Sequence, residues 1–449
     1  MSQTRRISLQ DNQPHPRYTV WELTLRCDQF CTHCGSRAGD ARETELSTAE
    51  ALEVVQQLAD MGTKDVVLIG GEAYLHDGFL EIVRALKAVG IRPMMTTGGV
   101  GVTPKLARDM AEAGIVQVSV SVDGLETAHD LIRGSKGSFQ AAIRALRVMH
   151  EAGIPIAANT NLNRVNRDDL EPLFALLAEL GISAWQVQIT VPLGRAADRP
   201  QMILQPYDLV DLVPRIAAIK TSAFDLGITV MPGNNLGYFG PEEALLRSLY
   251  EGGSDHWGGC MAGKFVMGIE SDGAVKGCPS LQTSAYVGGN LKDSSIQKIW
   301  DTSPKLAFTR TRTVDDLWGF CKTCPFAATC MSGCSFTGHA LFGRPGNNPY
   351  CHFRARTLAK QGKRERLVAR TEASGLPFDC GDFALVVEDW DHNEPFQGGH
   401  FMTEERFDLE EKSFPDSPEG QKKRLAYLVR KLAFSKQQSG CQSCPAHTS

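Results

Sequence analysis

The sequence predicts an α/β protein in which a partial (β/α)6 barrel of the TIM type precedes a small cysteine-rich domain and a C-terminal extension. Six strand patterns alternate with helix patterns between residues 18 and 191, which is typical of parallel strands joined by right-handed crossovers. Residues 259–351 contain seven cysteines and little long periodicity. Small domains of this composition are usually held together by metal, because their apolar cores are too small to stabilise them alone.

The barrel is predicted from hydrophobic periodicity, taken in chain order. Strands are expected at residues 19–25, 65–69, 91–97, 116–122, 154–160 and 184–191. Helices are expected at residues 48–61, 79–89, 104–113, 138–152 and 170–180. Six β/α units predict an incomplete barrel whose functional loops follow the C-terminal ends of its strands.

The expected organisation has five parts. They are an N-terminal extension (1–17), the barrel (18–199), a connecting region (200–258), the cysteine-rich domain (259–355) and a C-terminal extension (356–449). In the last part of the chain, a basic helix is expected over residues 354–370 and a strand over 383–387. The polar end of the chain is expected to be flexible.

Composition and charge exclude several classes of function. The chain of 449 residues is 42% hydrophobic and 22% charged, with a formal net charge of −5. This gives no electrostatic case for binding nucleic acid or an anionic membrane. No apolar run is long enough for a transmembrane helix, and the N-terminus has no signal-peptide core. We therefore expect a cytoplasmic protein, in which clustered cysteines bind metal more often than they form disulfides.

The most informative pattern is Cys27-x3-Cys31-x2-Cys34, which follows the first predicted strand. Three thiolates in one short loop can hold three irons of a [4Fe–4S] cube and leave the fourth iron free to bind another molecule. The alternative is a structural site, either zinc or a closed iron–sulfur cluster.

The segment Cys27-Asp-Gln-Phe-Cys31-Thr-His33-Cys34 resembles the signature of radical S-adenosylmethionine (SAM) enzymes. The resemblance implies that SAM chelates the open iron and that one electron from the cluster cleaves it to a 5′-deoxyadenosyl radical. That radical abstracts hydrogen from a substrate. An external one-electron reductant of the flavodoxin or ferredoxin type is implied, and His33 is expected near the cofactor.

Two further strand ends carry motifs similar to those of the family. Gly70-Gly71-Glu72 ends the second strand and resembles the GGE motif that contacts the SAM amine, although Ala73 stands where proline is common. Ser121 and Asp123 end the fourth strand, where the family contacts the ribose, but Asp-Gly is equally a common turn. Other candidate contacts to cofactor or substrate, at strands five and six, are Asn159, Asn161 and Gln188.

The later cysteines, in the order and spacing found here, resemble the SPASM domain, which implies two auxiliary [4Fe–4S] clusters. The cysteines expected at the distal cluster are Cys321, Cys324, Cys330 and Cys351, and those at the proximal cluster are Cys260, Cys278 and Cys334. The fourth proximal position is either open or filled by a group such as Asp255 or His256. A zinc ribbon is the alternative for Cys321, Cys324, Cys330 and Cys334.

Several residues remain open at this stage. Cys380 is either a hydrogen donor, as in the family's epimerases, or a structural thiol. Cys441 and Cys444, with His447, belong either to a metal site or to a frayed tail. The loop at residues 232–240 either lines the substrate cavity or is a connecting turn.

The resemblance covers residues 18–355 and implies an enzyme that modifies a ribosomally made peptide by cross-linking, epimerisation or related oxidation. Because about 17 residues precede the first strand, recognition of a leader peptide is expected to come from a separate protein or from the barrel itself. The alternatives are a sulfatase maturase or an enzyme acting on a small molecule, and a non-catalytic iron–sulfur electron carrier.

Overall fold

The computed structural model describes residues 13–390. Its main sheet has ten strands, and a separate hairpin has two. The strands of the main sheet are β1 (Tyr18–Glu22), β2 (Asp65–Ile69), β3 (Arg92–Thr97), β4 (Gln117–Ser121), β5 (Ile156–Leu162), β6 (Ala184–Ile189), β7 (Thr229–Pro232), β8 (Val266–Ile269), β9 (Ala274–Lys276) and β10 (Gly289–Asn290). The hairpin consists of β11 (Lys363–Thr371) and β12 (Asp382–Asp389).

The helices fall into two groups. Those of the barrel region are α1 (Thr48–Asp60), α2 (Phe79–Ala88), α3 (Pro104–Ala113), α4 (Glu126–Arg133), α5 (Ser138–Glu151), α6 (Leu170–Glu179), α7 (Leu209–Asp225) and α8 (Glu243–Arg247). The later ones are α9 (Thr283–Tyr286), α10 (Ile296–Thr302), α11 (Pro304–Thr311), α12 (Ala327–Cys330), α13 (Ser335–Phe342) and α14 (His352–Ala359).

The six predicted strands lie side by side in chain order, and all are parallel. Helix boundaries follow local chemistry. Ser47 and Glu50 form a capping box at the start of α1, and Thr103 caps α3 ahead of Pro104. The apolar faces of the helices pack on the sheet in one continuous core. The α/β partial barrel expected from the sequence is therefore confirmed.

The parallel sheet extends beyond the six expected strands at both edges. β7, from the connecting region, pairs parallel to β6, and β8, from the cysteine-rich region, pairs parallel to β1. Both strands have four residues; β7 ends in Pro232 and β8 contains Gly268. Runs this short with such residues give almost no strand signal in a sequence. The cysteine-rich region is thus built onto the edge of the barrel sheet.

One predicted element of the C-terminal extension is wrong. Residues 354–370, expected to be one helix, form α14 and then most of strand β11. The helix stops because Gly362 takes a left-handed φ of 67°, and the residues after it are paired with β12. Over residues 13–390, no helix has the length and apolar character needed to cross a membrane.

Candidate active site and cysteine groups

A cavity of about 1290 Å³, counting its open mouth, lies at the C-terminal ends of the parallel strands. It is the place where consecutive β/α loops meet, because parallel strands all end at the same edge. The predicted site residues that line it are Cys27, Cys31, His33, Cys34, Gly70, Gly71, Glu72, Ser121, Asn161 and Gln188. The structure thus brings together side chains from five different strands and their loops.

The two glycines of the Gly70-Gly71-Glu72 motif allow the end of β2 to lie directly against the cysteine loop. A Cβ atom at Gly71 would stand 2.2 Å from the carbonyl oxygen of Arg26, and one at Gly70 would stand 2.2 Å from that of Thr24. The freed space lets the Gly71 amide donate to the Thr24 carbonyl at 2.8 Å. No larger residue fits, so the motif fixes the position of the loop as well as presenting a carboxylate.

The Glu72 carboxylate is buried and held from two sides. Its Oε2 accepts a hydrogen bond from Thr97 Oγ1 and its Oε1 accepts one from the Gly98 amide, both at 2.6 Å. Burial, with a contribution from the Asp28 carboxylate, raises the pKa of Glu72. A carboxylate in this condition gains most from a cationic partner, which suits it to an ammonium group. Thr97 and Gly98 were not among the predicted site residues, although Thr97 ends the third predicted strand at the same edge and Gly98 follows it.

Two buried arginines stand beside the cysteine loop and were not predicted. Arg133 pairs with Asp123 at 2.7 Å and its Nη1 lies 3.6 Å from Cys31 Sγ. Arg195 donates through Nε to the Cys31 carbonyl at 2.8 Å. Burial alone would raise the pKa of Cys34, but the charge of Arg195 and nearby hydrogen bonds bring it below the usual value. This arginine therefore favours the thiolate of Cys34, whereas burial raises the pKa of both Cys27 and Cys31.

Asp123 and Asn159 do not line the cavity. Asp123 is fully buried behind it, where its carboxylate pairs with Arg133 and accepts the Asn161 amide at 2.7 Å. Asn159 lies two residues before Asn161 on β5, so it is on the same face but deeper in the strand. His33 Nε2 is 3.4 Å from Asp123 Oδ2, and burial lowers the pKa of His33 to about 4.

The residues of this cavity fit an iron–sulfur cluster with a polar ligand. The amide nitrogen Nε2 of Gln29 is buried in the cavity wall and has no hydrogen-bond partner within the described residues. A single zinc ion bound by 2.3 Å bonds needs thiolates about 4 Å apart. Within residues 13–390, no three Cys, His, Asp or Glu side chains converge closely enough to share one metal ion.

The seven later cysteines separate into a group of four and a group of three. The four line a cavity of about 360 Å³, the distal cavity, and they are Cys321, Cys324, Cys330 and Cys351. Aromatic rings make up most of the rest of its wall, from Tyr238, Phe239, Phe320, Phe326 and Phe353. Burial, reinforced by neighbouring thiols of this group, raises the pKa of Cys351 to about 12.

The group of three consists of Cys260, Cys278 and Cys334. Burial raises the pKa of Cys334 to about 12, and the neighbouring thiols of Cys260 and Cys278 add to this effect. Pro279 and Ser280, directly after Cys278, and Phe336, two residues after Cys334, line the barrel cavity. The group of three therefore adjoins the barrel cavity. The group of four lines the separate distal cavity, which shares no wall residue with the barrel cavity.

The structure places His256, one of the two suggested fourth ligands, beside the distal cavity. His256 packs against Phe239, a wall residue of the distal cavity, with ring centroids 5.9 Å apart. Tyr286 instead packs with Cys260 and Cys278, and its hydroxyl lies 2.8 Å from His339 Nδ1. Tyr286 and His339 belong to no spaced motif, so no sequence pattern indicates that they lie beside these cysteines.

Cys380 does not line the barrel cavity, whereas Phe378, two residues earlier, does. Phe378 has a left-handed φ of 56°, and its amide donates to the Gly35 carbonyl in the cysteine loop at 2.9 Å. Arg37 of that loop pairs with Asp379 at 3.0 Å. Cys441, Cys444 and His447 lie outside the described residues.

Comparisons with known proteins agree with this geometry. Residues 21–177 match the model of the radical SAM superfamily, and residues 260–325 match the SPASM iron–sulfur cluster-binding domain. The chain is 29% identical over 352 residues to an AdoMet-dependent heme synthase of Methanosarcina barkeri, covering 76% of this chain and 97% of that protein. It is 30% identical over 350 residues to the mycofactocin maturase of Mycolicibacterium smegmatis, covering 75% of this chain and 82% of that protein.

Solved structures share the fold at lower identity. Streptococcus suis SuiB bound to its precursor peptide SuiA superposes with a TM-score of 0.58 at 16% identity, covering 72% of each chain. The enzyme anSMEcpe with bound AdoMet and a peptide superposes with a TM-score of 0.59 at 17% identity, covering 76% of this chain and 94% of that one.

Proposed function

Because the chain belongs to the radical SAM enzymes that carry a SPASM iron–sulfur domain, we propose that it abstracts a hydrogen atom from a ribosomally made peptide and thereby starts a cross-link, epimerisation or other oxidative change. Membership of this family implies [4Fe–4S] clusters and SAM. Together these supply the 5′-deoxyadenosyl radical that removes the hydrogen. The protein's own contribution is to bind, orient and exclude water.

We assign the cofactor contacts to the residues that line the barrel cavity. The cysteines proposed to hold the SAM-binding cluster are Cys27, Cys31 and Cys34, with Glu72 on the amine of SAM and Ser121 near its ribose. Gly98 and Thr97 keep the Glu72 carboxylate pointing in one direction, so it need not reorganise when the ammonium binds. Asp123 acts indirectly in this assignment, by holding Arg133 beside Cys31.

The observation that favours a peptide is the polarity of the cavity wall. Its cationic side chains, within residues 13–390, are Arg133 and Arg195, and both already serve the protein: Arg133 pairs with Asp123 and Arg195 binds backbone carbonyls. A substrate with several carboxylates would require further cations. The wall instead presents amides and hydroxyls, which match the hydrogen-bonding groups of a peptide backbone. They belong to Gln29, Asn161, Gln188 and Thr190.

The two later cysteine groups support an oxidative outcome. After hydrogen abstraction the substrate carries an unpaired electron, and closing a new bond or forming an unsaturated product requires removal of one more electron. Pro279, Ser280 and Phe336 put the group of three at the wall of the same cavity. A cluster at this position is well placed to accept that electron. We expect a flavodoxin- or ferredoxin-type carrier to exchange electrons with the enzyme, and we expect it to work in the reducing cytoplasm.

A tetrapyrrole substrate is the second candidate, because the matched heme synthase is covered over 97% of its length. The same cavity wall argues against it, since its two arginines within residues 13–390 already bind Asp123 and backbone carbonyls and are not free to pair with the carboxylates of a tetrapyrrole. A sulfatase-type or other small-molecule substrate is tested by the same experiment.

The test supplies both substrate classes to one preparation. Anaerobically reconstituted, reduced protein with SAM is given a short peptide encoded beside its gene or, separately, an iron porphyrin. With the peptide, we expect release of 5′-deoxyadenosine and a change in the peptide. With the porphyrin, we expect the porphyrin to stay unchanged. Mass spectrometry detects cross-linking as a loss of two hydrogen atoms. It detects epimerisation as deuterium uptake from D₂O with no other change in the mass of the peptide.

The Cys31→Ala variant is the matched control, because it removes one ligand of the proposed SAM-binding cluster. It should release no 5′-deoxyadenosine and leave the peptide unchanged. Porphyrin conversion by the unaltered protein, with no change in the peptide, would overturn the peptide proposal while leaving radical SAM chemistry in place.

A further inference from the structure

The loop at residues 232–240 connects the barrel to both later cysteine groups. Near its start, the Asn235 side chain donates to the Ile189 carbonyl at 2.8 Å and accepts the Ile189 amide at 3.2 Å. This anchors the loop to the C-terminal end of β6, beside the barrel cavity. At its other end, Phe239 stacks on Phe326 of the distal cavity, with ring centroids 4.4 Å apart.

Tyr238, between these anchors, touches a cysteine of each group. Its hydroxyl accepts the amide of Cys334, from the group of three, at 3.0 Å, and donates to the Asn234 carbonyl at 2.5 Å. Its own carbonyl oxygen lies 3.6 Å from Sγ of Cys351, from the group of four. The side chain is 1% exposed, so no water competes for these contacts.

The surrounding residues are shaped to hold this tyrosine. Gly333 has a φ of 67°, and a Cβ atom there would lie 2.5 Å from Tyr238 Cζ, so the ring occupies the space that a side chain would need. Trp257 packs edge-on against the ring, with centroids 5.3 Å apart, and donates through Nε1 to the Cys330 carbonyl at 3.1 Å. The ring is therefore fixed between the two groups by contacts on several sides.

We propose that Tyr238 is the positioning residue that couples the two auxiliary clusters of this enzyme. This inference rests on the proposed function, because it requires clusters on both cysteine groups. Tyr238 bridges the two groups: its hydroxyl accepts the hydrogen bond from the Cys334 amide, and its carbonyl oxygen packs 3.6 Å from Cys351 Sγ, a contact that does not depend on a thiol proton. Hydrogen bonds near the ligands of a metal centre also tune its potential.

The electron balance of the coupling is simple. The substrate radical would lose one electron to a cluster held by the group of three, a cluster held by the group of four would receive it, and an external one-electron acceptor of the flavodoxin or ferredoxin class would remove it. Tyr238 keeps its proton and is not consumed. The hydroxyl acts through its hydrogen bond to Cys334, so its removal should affect the potential and the rate of transfer without removing any cluster ligand.

The experiment compares Tyr238→Phe with the unaltered full-length protein, both reconstituted anaerobically. Potentiometric titration followed by electron paramagnetic resonance measures the midpoint potential of each cluster and the magnetic coupling between them. In Tyr238→Phe we expect a shifted potential for the proximal cluster, weaker coupling, and transfer between the auxiliary clusters slowed at least tenfold. The signal of the barrel cluster should not move.

Tyr350→Phe is the matched control, because it removes an equally buried hydroxyl that donates to the Leu204 carbonyl at 2.6 Å. It should leave the potentials and the transfer rate unchanged. If Tyr238→Phe loses iron, site-specific 3-fluorotyrosine at position 238 keeps the ring in place, and we expect it to shift the proximal potential by a smaller amount.

The iron content separates loss of the auxiliary clusters from loss of the role of Tyr238. About four irons per chain, with one cluster signal, would reject the auxiliary clusters and with them the proposed function. About twelve irons, with potentials and transfer rate in Tyr238→Phe equal to those of the unaltered protein, would overturn the role of Tyr238 alone.

Discussion

The two cavities that cysteines line in this protein differ in size, polarity and access. The barrel cavity measures about 1290 Å³ with its open mouth and is lined by a carboxylate, amides and hydroxyls. The distal cavity measures about 360 Å³, and aromatic rings form most of its wall beyond the cysteines. The same kind of residue, a cysteine, thus stands in a large site with a polar wall and in a smaller site with a mostly aromatic wall.

Because both cavities are lined by cysteines, the difference teaches that the other wall residues determine which chemistry each cavity supports. In the barrel cavity, Arg133 and Arg195 bring positive charge to the cysteine loop, and Glu72 offers a carboxylate to a cationic ligand. The distal cavity instead has aromatic rings over most of its wall, and Phe239 and Phe326 stack with ring centroids 4.4 Å apart. The first environment suits binding and bond cleavage, and the second suits electron storage and transfer.

The largest expected effect tests this division directly. Cys31→Ala should reduce 5′-deoxyadenosine release to background and lower the iron content from about twelve to about eight per chain. Cys324→Ala, in the distal cavity, should retain the first round of SAM cleavage but lose the oxidised product. Single-turnover analysis of 5′-deoxyadenosine and product by mass spectrometry distinguishes the two. Equal loss of SAM cleavage in both variants would break the comparison.

The next effect concerns the polar wall of the barrel cavity. Glu72→Gln removes the charge that we assign to the SAM ammonium, an interaction worth about 1.5–3 kcal/mol, so SAM affinity should fall about 10–100-fold. Thr97→Val removes one hydrogen bond that orients the carboxylate and should have a smaller effect. Calorimetric titration of the reconstituted protein with SAM measures both. An affinity in Glu72→Gln within twofold of the unaltered protein would contradict the assignment.

A third effect asks whether the C-terminal extension belongs functionally to the barrel cavity. Phe378→Gly removes a ring from the wall and also relieves its left-handed backbone, a strain of about 1–3 kcal/mol. We expect a thermal midpoint that is not lower, together with several-fold more 5′-deoxyadenosine released per product formed, because the substrate is less well enclosed. An unchanged ratio would show that the ring serves stability alone.

The smallest expected effect concerns Arg37, whose ion pair with Asp379 holds the C-terminal extension against the cysteine loop. Arg37 pairs with Asp198 at 2.7 Å and with Asp379 at 3.0 Å. Lysine cannot reach both partners with one planar group, so Arg37→Lys should cost about 1–3 kcal/mol and increase hydrogen exchange in residues 374–380. The exposed Arg84, changed to Lys, is the control and should change neither. Exchange in 374–380 equal to that of the control would show that Arg37 does not hold this segment.

Much of the barrel could be predicted because its signals are local. The six strands follow hydrophobic runs, and helices such as Pro104–Ala113 carry their own caps, so they form where the sequence indicates. Strands β7 and β8 could not be predicted, because four residues with Pro232 or Gly268 become strands only by pairing with β6 and β1. The prediction of one helix over 354–370 was wrong for the same reason, because the second half of this range forms a strand by pairing with β12.

By itself, the sequence determined the family, the cysteine loop and the Gly70-Gly71-Glu72 motif, because each is a short pattern whose spacing carries its chemistry. Only the tertiary structure decided where Asp123 points and which side chains surround the cavity. Arg133, Arg195, Phe378 and Tyr238 come from four distant parts of the chain and have no sequence pattern in common. Their roles depend on distances across the fold, which are set by the packing of the whole chain.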